Sequence, residues 1–294
     1  MPKLIALFST LLTLCLWDLA HAQADNMGAE NDKVHVSTIA DVSAIQAGKP
    51  FWVGFKFTID PGWHIYWTNP GTSGLATQVK LTLPEGFTAG ELQFPIPQRL
   101  VHPGDEVNYA YENEVVLLMQ ITPPKNLAKD LAAGKSVKID GRATWLVCKE
   151  DCMPGSGSVS IELPVADSAK PANEDLFKEW TAKLPVENEA EYIASYKTQS
   201  SIKDGNGNAS IKITWKKIPG DIQFIPGAME TGDLSDVKIA ADGNDSTITF
   251  NIKNKADLTP ITGLVTFTKP DGTKSALVVG ILLGGRVTAP TLPK

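Results

Sequence analysis

The feature that most narrows the fold is a two-residue rhythm. In "FWVGFKFTI" the residues Phe51, Val53, Phe55, Phe57 and Ile59 take every second position, and side chains alternate between two faces in this way along an extended strand. The same rhythm puts Val115, Leu117, Met119 and Ile121 of "VVLLMQI" on one face. It does so again for Ile211, Ile213 and Trp215 of "SIKITW", and for Ile248, Phe250 and Ile252 of "TITFNIK". Turn signals separate these runs: "DPG" at 60–62, "NPG" at 69–71, "DGNGN" at 204–208 and "PDG" at 270–272. Many short, half-buried strands broken by such turns predict an all-β chain built of packed sandwiches.

One segment departs from the rhythm. "PANEDLFKEWTAKLP", 171–185, spaces Leu176, Trp180 and Leu184 four apart, with Asn173 placed to cap, Glu174 and Asp175 in the first turn, Lys183 in the last and Pro185 as a stop. This predicts one short helix, preceded by the linker-like "PVADSAKPA". The expected organisation is a first sandwich over 30–165, a linker and helix over 166–185, and a second sandwich over 186–294.

The amino terminus predicts the compartment. "MPKLIALFSTLLTLCLWDLAHAQA" has Lys3, an apolar run from Leu4 to Trp17, and Ala20-His21-Ala22 as an A-x-A cleavage pattern. Residues 1–22 therefore read as a secretory signal peptide, cut after Ala22. The expected product is a soluble exported protein, with the bacterial periplasm as the best fit to the composition. Elsewhere the best apolar run, "ALVVGILLGG" at 276–285, is too short for the roughly 18 residues a membrane helix needs. The chain carries 27 Lys and Arg against 33 Asp and Glu, a net charge of −6. With no basic stripe, nucleic acid and anionic membrane surfaces are poor partners.

Of three cysteines, Cys15 falls in the leader, leaving Cys148 and Cys152 in "ATWLVCKEDCMPG". Three readings compete for this C-x-x-x-C pair. As a staple it is weak: in the chain-entropy model a loop of about five residues contributes roughly 2 kcal/mol, against more than about 4 for a loop of about 100. Tight loops also tend to strain the disulfide. As a metal clip it supplies half a tetrahedral site. The histidines left after the leader, His35, His64 and His102, are all remote in sequence. A reduced pair could still pick up copper(I) adventitiously.

As a redox pair it gains support from strand parity. In "SVKIDGRATWLVC", Val137, Ile139, Ala143, Trp145 and Val147 share one face. Lys138, Asp140, Arg142, Thr144 and Cys148 share the other, with Leu146 as the exception. If the Trp145 face is the core, the Cys148 sulfur is expected near the surface, with the "KED" turn bringing Cys152 beside it. The local charges conflict: Lys149 favours a thiolate, and Glu150 and Asp151 oppose it. No G-x-S-x-G, H-E-x-x-H, P-loop or G-x-G-x-x-G motif competes, so no cofactor and no dedicated metal site is expected.

Three ordered motifs, "PGWHIYWTNPGTSGLATQVKLTLPEGF", "YAYENEVVLLMQI" and "ATWLVCKEDCMPG", resemble the periplasmic amino-terminal region of the DsbD thiol:disulfide interchange family. They resemble most the ScsB-like branch linked to suppression of copper sensitivity. The likeness runs along most of 35–165. It implies an immunoglobulin-like sandwich, a Cys148–Cys152 disulfide that cycles with the dithiol, and protein-disulfide reductase activity. By position Cys152 matches the cysteine that forms mixed disulfides, and Cys148 its resolving mate. The resemblance also implies that His64 and Tyr66 line the pair, and an imidazole near the sulfurs could stabilise a thiolate or relay a proton. Trp63, Trp67, Tyr109 and Tyr111 read as structural. Asp105-Glu106 is a candidate for the family's acidic cap-loop pair. The cysteine spacing is tighter than in better-known members. The membrane and thioredoxin-like domains of the family have no counterpart here, so a membrane-embedded or thioredoxin-like partner protein is expected to supply electrons. A non-catalytic periplasmic binding module with a structural disulfide is the alternative, and copper handling a third.

Overall fold

The computed structural model describes residues 32–104, 106–127, 135–257, 259–283 and 287–288, so the leader expected at 1–22 lies outside it. Among the described residues every pairing between strands is antiparallel. They form two β-sandwiches joined through a segment with one short helix.

In the first sandwich one sheet has the order β1 (Val34–Ala40), β2 (Phe51–Ile59), β8 (Glu114–Thr122), β5 (Thr88–Ala89). The other runs β10 (Cys152–Pro164), β9 (Ser136–Cys148), β3 (His64–Gly71), β7 (Glu106–Glu112), β6 (Gln98–His102), with β4 (Gln78–Thr82) also on β9. The alternation in β2 does what it predicts: Phe51, Val53, Phe55, Phe57 and Ile59 all enter the shared core. Phe57 meets Trp145 edge-on across it, with ring centroids 5.6 Å apart. β8 goes further than its rhythm. Val116 and Leu118 are as buried as Val115 and Leu117; Gln93 pairs its backbone with Leu118 at the sheet edge, and Ile39 closes beside Val116 over Gly54.

The second sandwich packs β14 (Asp233–Asp242), β15 (Asp245–Lys253), β12 (Asn206–Trp215), β11 (Ile193–Lys203) and β18 (Val287–Thr288) against β13 (Gly220–Pro226), β16 (Ile261–Thr268) and β17 (Lys274–Ile281). Here Ile211, Ile213, Trp215, Ile248, Phe250 and Ile252 point inward as their spacing predicts.

Two local expectations need correcting. "NPG" at 69–71 does not turn the chain: it lies inside β3, whose register with β7 slips between Tyr66 and Gly71. Gly71 has φ 91°, and a Cβ there would stand 2.1 Å from the Val107 carbonyl oxygen, so the approach of β7 requires glycine. Asn69 turns outward and donates to the carbonyl of Pro226 in the second sandwich at 2.9 Å.

The helix is shorter than its sequence pattern. α1 spans Glu174–Thr181 and buries Phe177 and Trp180. Asn173 precedes it at φ 53° without a side-chain cap. Its amide instead donates to Ala40 O at 2.8 Å, tying the helix to the end of β1. The linker-like stretch before it is also tied down: Ser43 and Ala172 N–H groups donate to Lys170 and Asp41 carbonyls across a backbone pairing with residues 41–45. Val186 then bridges to β17.

Candidate functional site

The two cysteines sit at the turn end of the β9–β10 hairpin. Cys148 and Cys152 are direct register partners, joined by a disulfide with their Cα atoms 4.2 Å apart. A three-residue turn intervenes, in which the Lys149 N–H donates to the Asp151 carbonyl. Strand parity places the rest of β9 as expected: Val137, Ile139, Ala143, Trp145 and Val147 are all core residues, and Cys148 faces the opposite way.

The expectation that Cys148 therefore lies near the surface is overturned. Cys148 is only 3% exposed, because the outer face of this sheet carries an apolar cluster of its own. Tyr66, Ala110 and Cys148 pack together there, with Leu100 and Leu146 against them. Leu146, the exception to parity in the sequence, belongs to this outer cluster. Cys152, one residue into β10, is exposed. The disulfide thus presents one sulfur to solvent and keeps the other covered.

His64 and Tyr66 share the sheet face of Cys148. His64 is the register partner of Cys148 across β3 and β9, which puts the two side chains on one face a few ångströms apart. It is 4% exposed, and its Nε2 lies 3.2 Å from Tyr66 Oη. Burial, with the neighbouring His102 as a smaller contribution, pushes the His64 pKa below the ordinary imidazole value. The ring is neutral at pH 7. Burial, aided by Glu106, raises the Tyr66 phenol above its usual range, so it stays a hydroxyl. The 72–77 loop lies on the Tyr66 ring, and a Cβ on Gly74 would meet it at 2.4 Å.

Sequence reasoning missed His102. The His102 ring sits 5.7 Å from that of His64, tilted by 33°, although 38 positions separate them in the chain. The parity of "QRLVH" puts Leu100 and His102 on one face of β6, but only the pairing of β6 with β7 brings that face to the cysteine side. Glu106, in register with His102, is exposed, and Asp105 lies outside the described residues. The other aromatics are structural. Trp67 and Tyr109 meet edge-on at 6.3 Å, Tyr111 Oη donates to Pro95 O at 2.6 Å, and Trp63 packs on the core. Among the described residues no helix is long and apolar enough to cross a membrane. Nor do three or more His, Cys, Asp or Glu of that set gather where they could hold a metal ion.

Comparisons with known proteins bear on this geometry. The sequence model described as "Thiol:disulfide interchange protein DsbD, N-terminal" matches residues 30–164. No curated protein matches the chain. Among solved structures, the N-terminal periplasmic domain of ScsB from Proteus mirabilis aligns over 86% of this chain and 95% of its own, at 17% identity and a TM-score of 0.63. That likeness is one of fold, and its coverage includes the second sandwich as well as the first. Domains 5–6 of the S-layer protein SbsC (12% identity, 85% and 98% coverage) and the YadV chaperone (8%, 83% and 99%) align with TM-scores of only 0.19 and 0.22, too low to carry weight. The sandwiches are immunoglobulin-like, and residues 30–164, with the half-covered disulfide at their rim, match the model of the DsbD amino-terminal domain.

Proposed function

We propose that this chain is an exported thiol–disulfide exchange protein that relays electrons through Cys148 and Cys152. The observation that carries the reading is the asymmetry of the bond: within a domain of this family, one sulfur is open and its mate is covered. Attack needs an accessible sulfur, so Cys152 is assigned the mixed disulfide and Cys148 the resolving step. In the reducing direction the Cys152 thiolate attacks a client disulfide and the client's leaving sulfur departs with the electron pair. The Cys148 thiolate then attacks Cys152 Sγ. The second client sulfur leaves, the Cys148–Cys152 bond forms, and the client disulfide has become two thiols. A thioredoxin-like or membrane-embedded dithiol protein returns the pair to its reduced state by the same steps in reverse.

Trapping tests this. Cys148→Ser should accumulate a mixed disulfide with an oxidised thioredoxin-like protein, and Cys152→Ser should accumulate none. Absence of any adduct, together with a reduction potential below about −300 mV, typical of inert structural bridges, would defeat the relay. The burial of Cys148 gives a second reading some weight: a periplasmic binding module in which the bond pins a loop. In that case the double variant Cys148→Ser, Cys152→Ser keeps its partner, whereas a relay loses all transfer. The leader supports a periplasmic location, checked by finding the mature amino terminus at Gln23. Copper tolerance is the physiological extension of the reading, checked by copper sensitivity of a host lacking the gene.

A further inference from the structure

The covering of Cys148 gives thiol–disulfide exchange a proton problem, and its solution rests on the relay reading. To resolve a mixed disulfide, Cys148 must give up its thiol proton among Tyr66, Ala110, Leu100 and Leu146. Apolar surroundings disfavour the thiolate. The cation nearest in sequence, Lys149, is exposed in the turn and extends along Gly62, where a Cβ would meet its Nζ at 3.4 Å. The basic group buried on the same face as Cys148 is His64, directly opposite it across β3 and β9. Behind His64 lies His102, whose Nε2 is buried and has no hydrogen-bond partner among the described residues. The other ionisable groups facing this pair are Tyr66 on β3, Glu112 opposite His64 on β7, and Glu106 opposite His102.

We propose that His64 is the base that takes the Cys148 proton as the pair closes, with His102 as a positioning residue against its ring. In the tautomer the step requires, Nε2–H donates to Tyr66 Oη and the Nδ1 lone pair is free. The proton passes from Cys148 Sγ to His64, and the sulfur's electron pair forms the bond to Cys152 Sγ. The client sulfur leaves with the electrons of the mixed disulfide, and the imidazolium then gives its proton to that leaving thiolate or to water. The reverse reaction uses the same imidazolium to protonate Cys148 as the bond opens. Burial and the adjacent imidazole keep His64 unprotonated near neutrality, the state a base must be in.

Two-phase kinetics separate the steps. The reduced full chain is mixed with one equivalent of dithionitrobenzoate. Cys152 attack releases the first coloured thiolate, and Cys148 closure releases the second. The wild-type second phase should be flat from about pH 7 to 9 and fall only below the ordinary imidazole range, about pH 6.5. In His64→Gln it should slow by roughly a hundredfold at pH 7, the scale of a lost general base, and climb with pH through the thiol range. The first phase should stay within about twofold. His102→Gln should move the acid limb of the second phase to higher pH, because the neighbour that holds His64 down is gone. A wild-type second phase rising about tenfold per pH unit between pH 6 and 8 overturns the proposal without any variant. So does a His64→Gln profile that matches wild type. If the first phase itself is missing, it is the exchange reading that fails.

Discussion

The outer faces of the two large sheets differ. In the second sandwich the face of β12, β14 and β15 turned away from the core is polar. Asn208, Ser210, Asp236, Lys238, Thr249 and Asn251 line a shallow groove there, and most of β14 is exposed. In the first sandwich the corresponding face of β3, β7 and β9 is apolar in one place, over Cys148. A sheet with one face in the core has no packing reason to carry a second apolar cluster on the other. The cluster is therefore best understood through what it covers. Its residues shield one sulfur and leave the other open, and the second sandwich has no cysteine to shield.

This contrast can be tested in order of expected effect. Cys152→Ser should reduce exchange with a thioredoxin-like partner to background. The same change should cost the fold no more than the roughly 2 kcal/mol of a five-residue loop, as read by urea unfolding under oxidising conditions. Core truncations should not distinguish the sandwiches: Leu117→Ala in the first and Ile213→Ala in the second, both fully buried, should each cost about 2–5 kcal/mol. A much smaller cost at either would mean that core repacks. Outer-face truncations should distinguish them. Leu146→Ala should cost about 1–2 kcal/mol and speed alkylation of Cys148 in the reduced protein, whereas Thr249→Ala should stay within about 0.5 kcal/mol. Equal, small effects at both positions would erase the contrast.

The smallest effect is one of pH. The folded-state pKa of His64 lies below its unfolded value, so between the two values the unfolded chain binds the extra proton. Stability is then complete above about pH 6.5 and declines as pH falls toward the folded value. Urea midpoints between pH 7.5 and 5 should show this slope, and His64→Gln should flatten it.

Part of this architecture was legible in the sequence. Periodicity located the inward faces of β2, β12 and β15, because a strand with one wet face must alternate. It was less informative for β8, where both faces are covered and Val116 and Leu118 look like any apolar filler. Parity on β9 correctly sent Cys148 away from Trp145, but parity names a face and says nothing of what lies on it. The cover comes from β3, β6 and β7, brought there by long-range pairing. His102 was invisible for the same reason, since its contact with His64 arises from tertiary structure. Asn173 has the residue type of a cap, yet its backbone sits in the left-handed region and its side-chain amide donates to the Ala40 carbonyl instead of its oxygen capping the helix.

The hairpin that ends in the disulfide has arms of 13 residues each, paired along their whole length. Cys148 and Cys152 are its last rung, so reduction unfastens that rung while the ladder below still holds the two thiols face to face. The effective molarity of one sulfur toward the other is thereby built into the backbone, and each turnover begins with its closing partner already in place.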